Sequence, residues 1–147
     1  MSLEERINAD IKTAMLAKEK EKLEALRAIK SAVLLAKTEK VGSELDADME
    51  MKLLQKLVKQ RKESAAIYVT QSRQDMADAE LFQATVIEQY LPAQISEEEI
   101  RQTITEIIAS TGASGMKDMG KVMGLASKQL AGKADGKLIS EIVKSML

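Results

Sequence analysis

Two stretches of this sequence open in the same way. Ser2 is followed three residues later by Glu5, and Ser96 by Glu99. A serine with a glutamate three positions on forms a capping box, in which each side chain satisfies a free backbone N–H at a helix start. Behind the first box come Leu3, Ile7, Ile11 and Met15, and behind the second Ile100, Ile104, Ile107 and Ile108. Apolar residues at three- and four-residue intervals share one face of a helix, whereas a strand would scatter them over both of its faces. The first ladder predicts a helix from the N-terminus to about Ala17. The second predicts one that Gly112 ends.

The rest of the chain must fold with very little aromatic material. Aromatic residues make up 2% of the 147 residues, so the core is left to Leu, Ile, Val, Ala and Met. Such a core suits helices better than sheets, which favour aromatic and β-branched residues. One proline and seven glycines allow few tight turns. The fold class is all-α, in one domain or two small ones.

The apolar register restarts at Leu23, which places a turn in the Lys18–Lys22 run. Leu23, Leu26, Ile29 and Val33 then mark a second helix ending near Lys40, with Gly42 as its C′ residue. Ser43 to Asp48 reads as an acidic loop in which Asp46 or Asp48 caps the next helix. A third helix runs from about Met49 to Thr70. Leu54, Leu57, Arg61, Ala65 and Tyr68 lie on one of its faces, and Lys56, Lys59, Gln60 and Lys62 on the other. A fourth runs from near Asp75 to Tyr90, with Leu81, Ala84 and either Ile87 or Glu88 turned inward. Pro92 disfavours helical geometry at Leu91 and marks the boundary. Residues 1–92 are expected to form an N-terminal bundle of about four helices, and residues 93–147 a three-helix C-terminal domain. Ser114 or Asp118 starts the sixth helix, which stops around Gly132. Asp135 caps the last, which holds Leu138, Ile142, Val143 and Met146.

Cysteine and histidine are both absent, which removes disulfides, thiolate nucleophiles, Cys/His zinc sites and imidazole acid–base chemistry. No cofactor and no metal are expected. The N-terminal segment is charged from the start and lacks the apolar centre of a secretory signal. No apolar run approaches the roughly 20 residues that span a bilayer. These features predict a cytoplasmic monomer without a membrane segment. Net charge is −1, yet residues 112–147 carry six lysines against three acids. A locally positive end on a near-neutral protein can touch phosphates.

That end holds the candidate binding residues, Lys121, Lys128, Lys133, Lys137, Gly120 and Gly132. Gly120 and Gly124 stand four apart in a segment that otherwise reads as helix, at a cost of about 1 kcal/mol each relative to Ala. Either the fifth or the last helix packs closely on them, or a nucleic-acid backbone approaches there. Gly132-Lys133-Ala134-Asp135-Gly136-Lys137 lacks the phosphate-loop spacing; it is a capped turn between helices, or a turn that holds one phosphate on backbone amides. Lys59, Arg61 and Lys62 read as an ordinary solvated face. Glu97, Glu98 and Glu99 complement a helix dipole. Asp46, Asp48 and Glu50 lack the calcium-loop pattern. Tyr68, Phe82 and Tyr90 are too scattered for a nucleic-acid stacking platform, and the nine methionines fill gaps in an aromatic-poor core, although Met116, Met119 and Met123 can also line a protein-binding groove.

An ordered series of short motifs carries a family resemblance over the whole length. The series is Leu23-x-x-Leu26-Arg27, Lys59-Gln60-Arg61-Lys62-x-Ser64, and Tyr68 followed by Ser72-Arg73-Gln74-Asp75-Met76-Ala77. It continues with Tyr90-Leu91-Pro92-Ala93-Gln94-Ile95-Ser96, Gly112-Ala113, Asp118-Met119-Gly120-Lys121-Val122-Met123 and Gly132-Lys133-Ala134-Asp135-Gly136-Lys137. Together they resemble the GatB/YqeY family, in its free-standing form. The resemblance implies a four-helix part followed by a three-helix tail related to the tail of the B subunit of glutamine-dependent tRNA amidotransferases. There the tail contacts tRNA, while the ligase and amidase centres lie in other domains. It therefore implies no catalytic residue here and no independent enzymatic activity. The expected function is a non-catalytic accessory module that binds tRNA or another structured RNA through the C-terminal helices. The alternative is an adaptor that docks an aminoacyl-tRNA synthetase, an amidotransferase or a ribosome-associated partner.

Overall fold

A computed structural model describes residues 2–39 and 45–147. Gly42 as a C′ residue, Lys40 as a helix end and the start of the acidic loop lie outside the described residues. Among those described there are seven α-helices and one short 3₁₀ turn, with no strand, so the chain is all-α. It divides into two compact units, residues 1–91 and 92–147.

The first unit contains α1 (Leu3–Leu16), α2 (Lys20–Glu39), α3 (Ala47–Thr70) and α4 (Gln74–Glu88). Ser2 caps α1, its Oγ accepting from the Glu5 N–H at 3.2 Å, and Asp46 caps α3, its Oδ1 accepting from the Met49 N–H at 2.8 Å. The inward stripes of the helices meet in one core. It is built from Leu3 and Ile7 of α1, Leu26, Ile29 and Val33 of α2, Leu54 and Leu57 of α3, and Ala84, Val86 and Ile87 of α4. Each aliphatic side chain fully buried there contributes about 1.5–3 kcal/mol.

The structure corrects one residue of the expected inner face of α4. Ala84 and Ile87 are buried as expected, but Leu81 is 42% exposed, and Ala77 and Val86 are buried instead. The reason is that α4 packs against both α3 and α2, so two of its faces are covered and a single stripe does not describe it. After α4, Tyr90 returns to α1. Its hydroxyl donates to the Asp10 carboxylate, and the Arg6 guanidinium lies over its ring, 5.1 Å from the centroid. Burial first, and then the hydrogen bond to Asp10 and its charge, push the phenol pKa well above its ordinary value.

Two helices of this unit end at a left-handed residue that is not glycine. After α1, the Glu19 N–H reaches the Ala14 carbonyl at 3.0 Å and the Lys18 N–H reaches that of Met15 at 3.2 Å. After α3, Arg73 bonds back to Tyr68 at 2.8 Å and Ser72 to Val69 at 3.1 Å. Both are Schellman endings, whose left-handed residue is most often glycine. Here those positions are Lys18 and Ser72, each at φ 58°. A left-handed non-glycine residue costs about 1–2 kcal/mol, part of which a glycine would return as unfolded-state entropy. Ser72→Gly is accordingly expected to stabilise the protein by about 0.5–1 kcal/mol, read as a higher urea midpoint at unchanged m-value.

The second unit contains α5 (Glu97–Thr111), the 3₁₀ turn Met116–Asp118, α6 (Met119–Gln129) and α7 (Gly136–Met146). Ser96 caps α5 through the Glu99 N–H at 3.2 Å, and Gly112 ends it at φ 67°. The Asp118 carboxylate does not cap α6; it reaches back to accept from the Ser114 N–H at 2.9 Å. Asp135 caps α7 through the Lys137 N–H at 3.4 Å. The core combines Ile100, Ile104 and Ile107 with Val122, Ala126 and Leu130, and with Ile139, Ile142 and Val143. The segment before α5 is tied to the turn after α6. The Ile95 N–H donates to the Lys133 carbonyl at 3.1 Å, and Gln94 Nε2 donates to the Gly132 carbonyl at 2.7 Å.

Candidate nucleic-acid interface

The helical period divides α6 into unlike faces. Val122 and Ala126 are buried, with Met119 and Met123 packed beside them, and this face closes the core of the second unit. Gly120, Gly124 and Ser127, at intervals of four and three, form a stripe that is wholly exposed. The structure corrects the reading that the glycines admit α5 or α7. A Cβ built on Gly120 or Gly124 meets nothing within 4 Å. The packing surface of α6 is supplied by Val122 and Ala126 instead, which leaves the glycines facing outward.

Beside this stripe run the lysines. Lys121 and Lys128 stand seven residues apart, two turns on one side, separated by ~10 Å along the axis. Gly124 lies between them, three residues after the first and four before the second. Lys117, in the 3₁₀ turn, is exposed and comes four residues before Lys121. It is absent from the residues singled out in the sequence, although its four-residue interval from Lys121 is visible there. Lys133, in the turn after α6, and Lys137, in the first turn of α7, are exposed as well.

Among the described residues none of these five lysines is ion-paired. The nearby acids of the sequence are engaged by the backbone: Asp118 accepts from Ser114 and Asp135 from Lys137. Gly132 has an internal place, buried at φ 74° with its carbonyl taken by Gln94. Its left-handed backbone is what glycine adopts without strain.

The basic cluster of α3 is built differently. Lys62 Nζ lies 2.9 Å from Glu88 Oε1, Lys52 Nζ lies 3.1 Å from Asp48 Oδ2, and Arg61 Nε donates to Gln83 Oε1 at 3.3 Å. Within the cluster, Lys62 is answered by a carboxylate and Arg61 is held by a neutral amide. The Glu97–Glu99 cluster occupies the first turn of α5, with Glu97 paired to Arg101 at 3.1 Å. Among the described residues no group of three acidic side chains is placed to hold a metal ion, and no helix is long and apolar enough to cross a membrane.

The model of the Yqey-like protein family matches residues 4–147. The chain belongs to the YqeY-like family. Among its relatives is the altered inheritance of mitochondria protein 41, mitochondrial, of Meyerozyma guilliermondii. It is 31% identical over 129 residues, which cover 83% of this chain and 65% of that protein. The protein of the same name from Clavispora lusitaniae is 32% identical over 106 residues, covering 69% of this chain and 60% of the relative. The YqeY-like chain thus spans somewhat under two thirds of the length of these two relatives. A further relative is a glutamyl-tRNA(Gln) amidotransferase component of Thermococcus gammatolerans, 43% identical over 54 residues, or 34% of this chain and 9% of that protein. This match supports the relation to an amidotransferase tail that the motifs imply.

The names of the fungal relatives overturn the cytoplasmic expectation, since four of them are designated mitochondrial. Freedom from cysteine and the want of a secretory apolar segment suit any reducing aqueous compartment, so they do not distinguish the cytosol from the mitochondrial matrix.

Proposed function

We propose that this YqeY-like protein is an accessory RNA-binding module that holds structured RNA by its phosphates along the exposed face of α6. The observation that carries this reading is the open stripe of Gly120, Gly124 and Ser127 beside lysines that, among the described residues, pair with no carboxylate. Gly124, in the interior of α6, costs about 1 kcal/mol of helix propensity and Gly120 lies in its first turn; among the described residues no contact of either glycine offsets this cost. A ligand whose backbone comes close to the helix does. Lys121 and Lys128 position phosphates from the side of the stripe, with Lys117, Lys133 and Lys137 extending the positive surface. Such contacts fix the register of an RNA by shape and charge without reading its bases. The tRNA in the name of the Thermococcus relative makes tRNA the first RNA to test. Catalysis is assigned to no residue of this chain.

The glycine stripe supplies the test. Gly124→Gln introduces a long neutral side chain at an exposed position where its Cβ meets nothing within 4 Å among the described residues. Because glutamine is a far better helix former, the variant should be more stable by about 0.5–1 kcal/mol in thermal melts. Its tRNA affinity at low salt, measured by fluorescence anisotropy, should nonetheless fall about tenfold, the equivalent of ~1.4 kcal/mol. A variant that is more stable and binds as well as the parent removes the support for this reading.

A further inference from the structure

The first unit carries a feature that the α6 surface does not use. The turn between α1 and α2 and Phe82 of α4 border an open depression of about 400 Å³, lined by Lys18, Glu19, Lys20, Glu21, Lys22 and Phe82. Phe82 is the one phenylalanine of the chain and is 41% exposed. The two tyrosines, by contrast, are half-buried. A phenyl ring left open offers a π-face on which a planar aromatic ligand can stack.

The charges around the ring narrow the ligand further. Lys22 Nζ is 3.8 Å from Glu19 Oε2, so these two largely answer each other. Among the described residues Lys18 and Lys20 have no ion pair, and Glu21 is the one carboxylate of the lining without a cation. The left-handed backbone of Lys18 closes the turn and fixes where its side chain departs. A fitting ligand therefore combines an aromatic ring with a compact negative group, in a volume within the range of small-molecule sites. An acidic peptide would call for cations spaced along a groove, whereas here they crowd one turn beside one ring.

We propose that this depression is a nucleotide site, in which a base stacks on Phe82 and its phosphate is held by Lys18 and Lys20. Among the described residues no polar side chain is buried, so no group is set to read the edge of a base. Binding is tolerant of base identity, as stacking sites are. The nucleotide is either free or an unpaired residue of an RNA strand, since the chemistry is the same.

Adenosine 5′-monophosphate, single-stranded hexa-adenylate and hexaglutamate are the probes, titrated into isotope-labelled full-length protein and followed by NMR. The monophosphate should shift the resonances of Phe82 and of residues 18–22 with a Kd on the order of 1 mM. Phe82→Leu keeps an apolar side chain and removes the ring. It should weaken binding roughly tenfold or more, the loss expected of one base–aromatic stack, while Phe82→Tyr retains binding. Lys18→Asn with Lys20→Gln, in which asparagine tolerates the left-handed backbone, should weaken it and flatten its salt dependence. Glu21→Gln should tighten it. Hexa-adenylate binding at least tenfold tighter than the monophosphate identifies a strand as the source; equal affinities identify a free nucleotide. The site is overturned if Phe82 does not respond, if Phe82→Leu binds as the parent does, or if hexaglutamate competes as well as the nucleotide. Because the depression and α6 belong to different units, Lys121→Glu with Lys128→Glu should still show the Phe82 response. The two readings can thus fail separately.

Discussion

Ile104→Asp should unfold residues 92–147 and abolish RNA binding while leaving the first unit folded. Ile104 is fully buried at the centre of the core that α5 shares with α6 and α7. A unit of this size has about 3–8 kcal/mol of net stability. The substitution removes the burial of a large aliphatic side chain and places an unpaired carboxylate in an apolar core, which together cost more than about 4 kcal/mol. The loss therefore approaches or exceeds what the unit has. The helical circular dichroism of α5, α6 and α7 should vanish at 25 °C, and a single melting transition belonging to α1–α4 should remain. Among the described residues each unit's buried core is built from side chains of that unit, which is the basis for expecting independent behaviour. Simultaneous loss of all helical signal would mean that the two units do not fold separately.

How much of this was legible in the sequence depends on how local each signal is. The starts of α1 and α5 were readable because the signal lies within four residues, and Ser2 and Ser96 make the serine half of the capping box by accepting from the Glu5 and Glu99 N–H groups. The stop at Gly112 was readable because glycine marks the left-handed position. The stops at Lys18 and Ser72 are made by the same hydrogen-bond pattern without its usual residue. The first was found only through the restart of the register at Leu23. On α4, Ala84 and Ile87 were read correctly and Leu81 was not, because burial on two sides breaks the single-stripe pattern on which periodicity relies.

In the candidate interface the charges were legible and the open surface was not. Lys121, Lys128, Lys133 and Lys137 are all exposed, and a count of residue types already made that end positive. Whether two glycines in a helix face a neighbour or solvent depends on which face the rest of the domain covers. Val122 and Ala126 decide that question, and it becomes visible only once α5, α6 and α7 are assembled. Gly132 likewise gains its internal place from Gln94, 38 residues earlier in the chain.

Among changes that leave the fold intact, reversing the charge beside the stripe has the largest expected effect on binding. About four lysine–phosphate contacts predict a log–log salt slope of roughly −3 to −4 for duplex-like RNA. With a net charge of −1, the protein as a whole adds no attraction, so binding should be near micromolar at low salt and fade towards physiological ionic strength. Lys121→Glu with Lys128→Glu removes two of those contacts and adds two repulsions. The expected loss at 50 mM salt is about a hundredfold or more. Lys56→Glu with Lys59→Glu makes the same change of net charge on α3, where the neighbouring Lys52 and Lys62 are already answered by carboxylates. It should cost much less. The decisive measurement is the salt dependence of tRNA binding by the parent and these two variants. The α6 variant should lose about two units of slope along with its affinity, while the α3 variant should keep a slope close to the parent's. Equal losses in the two variants, or a greater loss from α3, would contradict the assignment of the contact to α6.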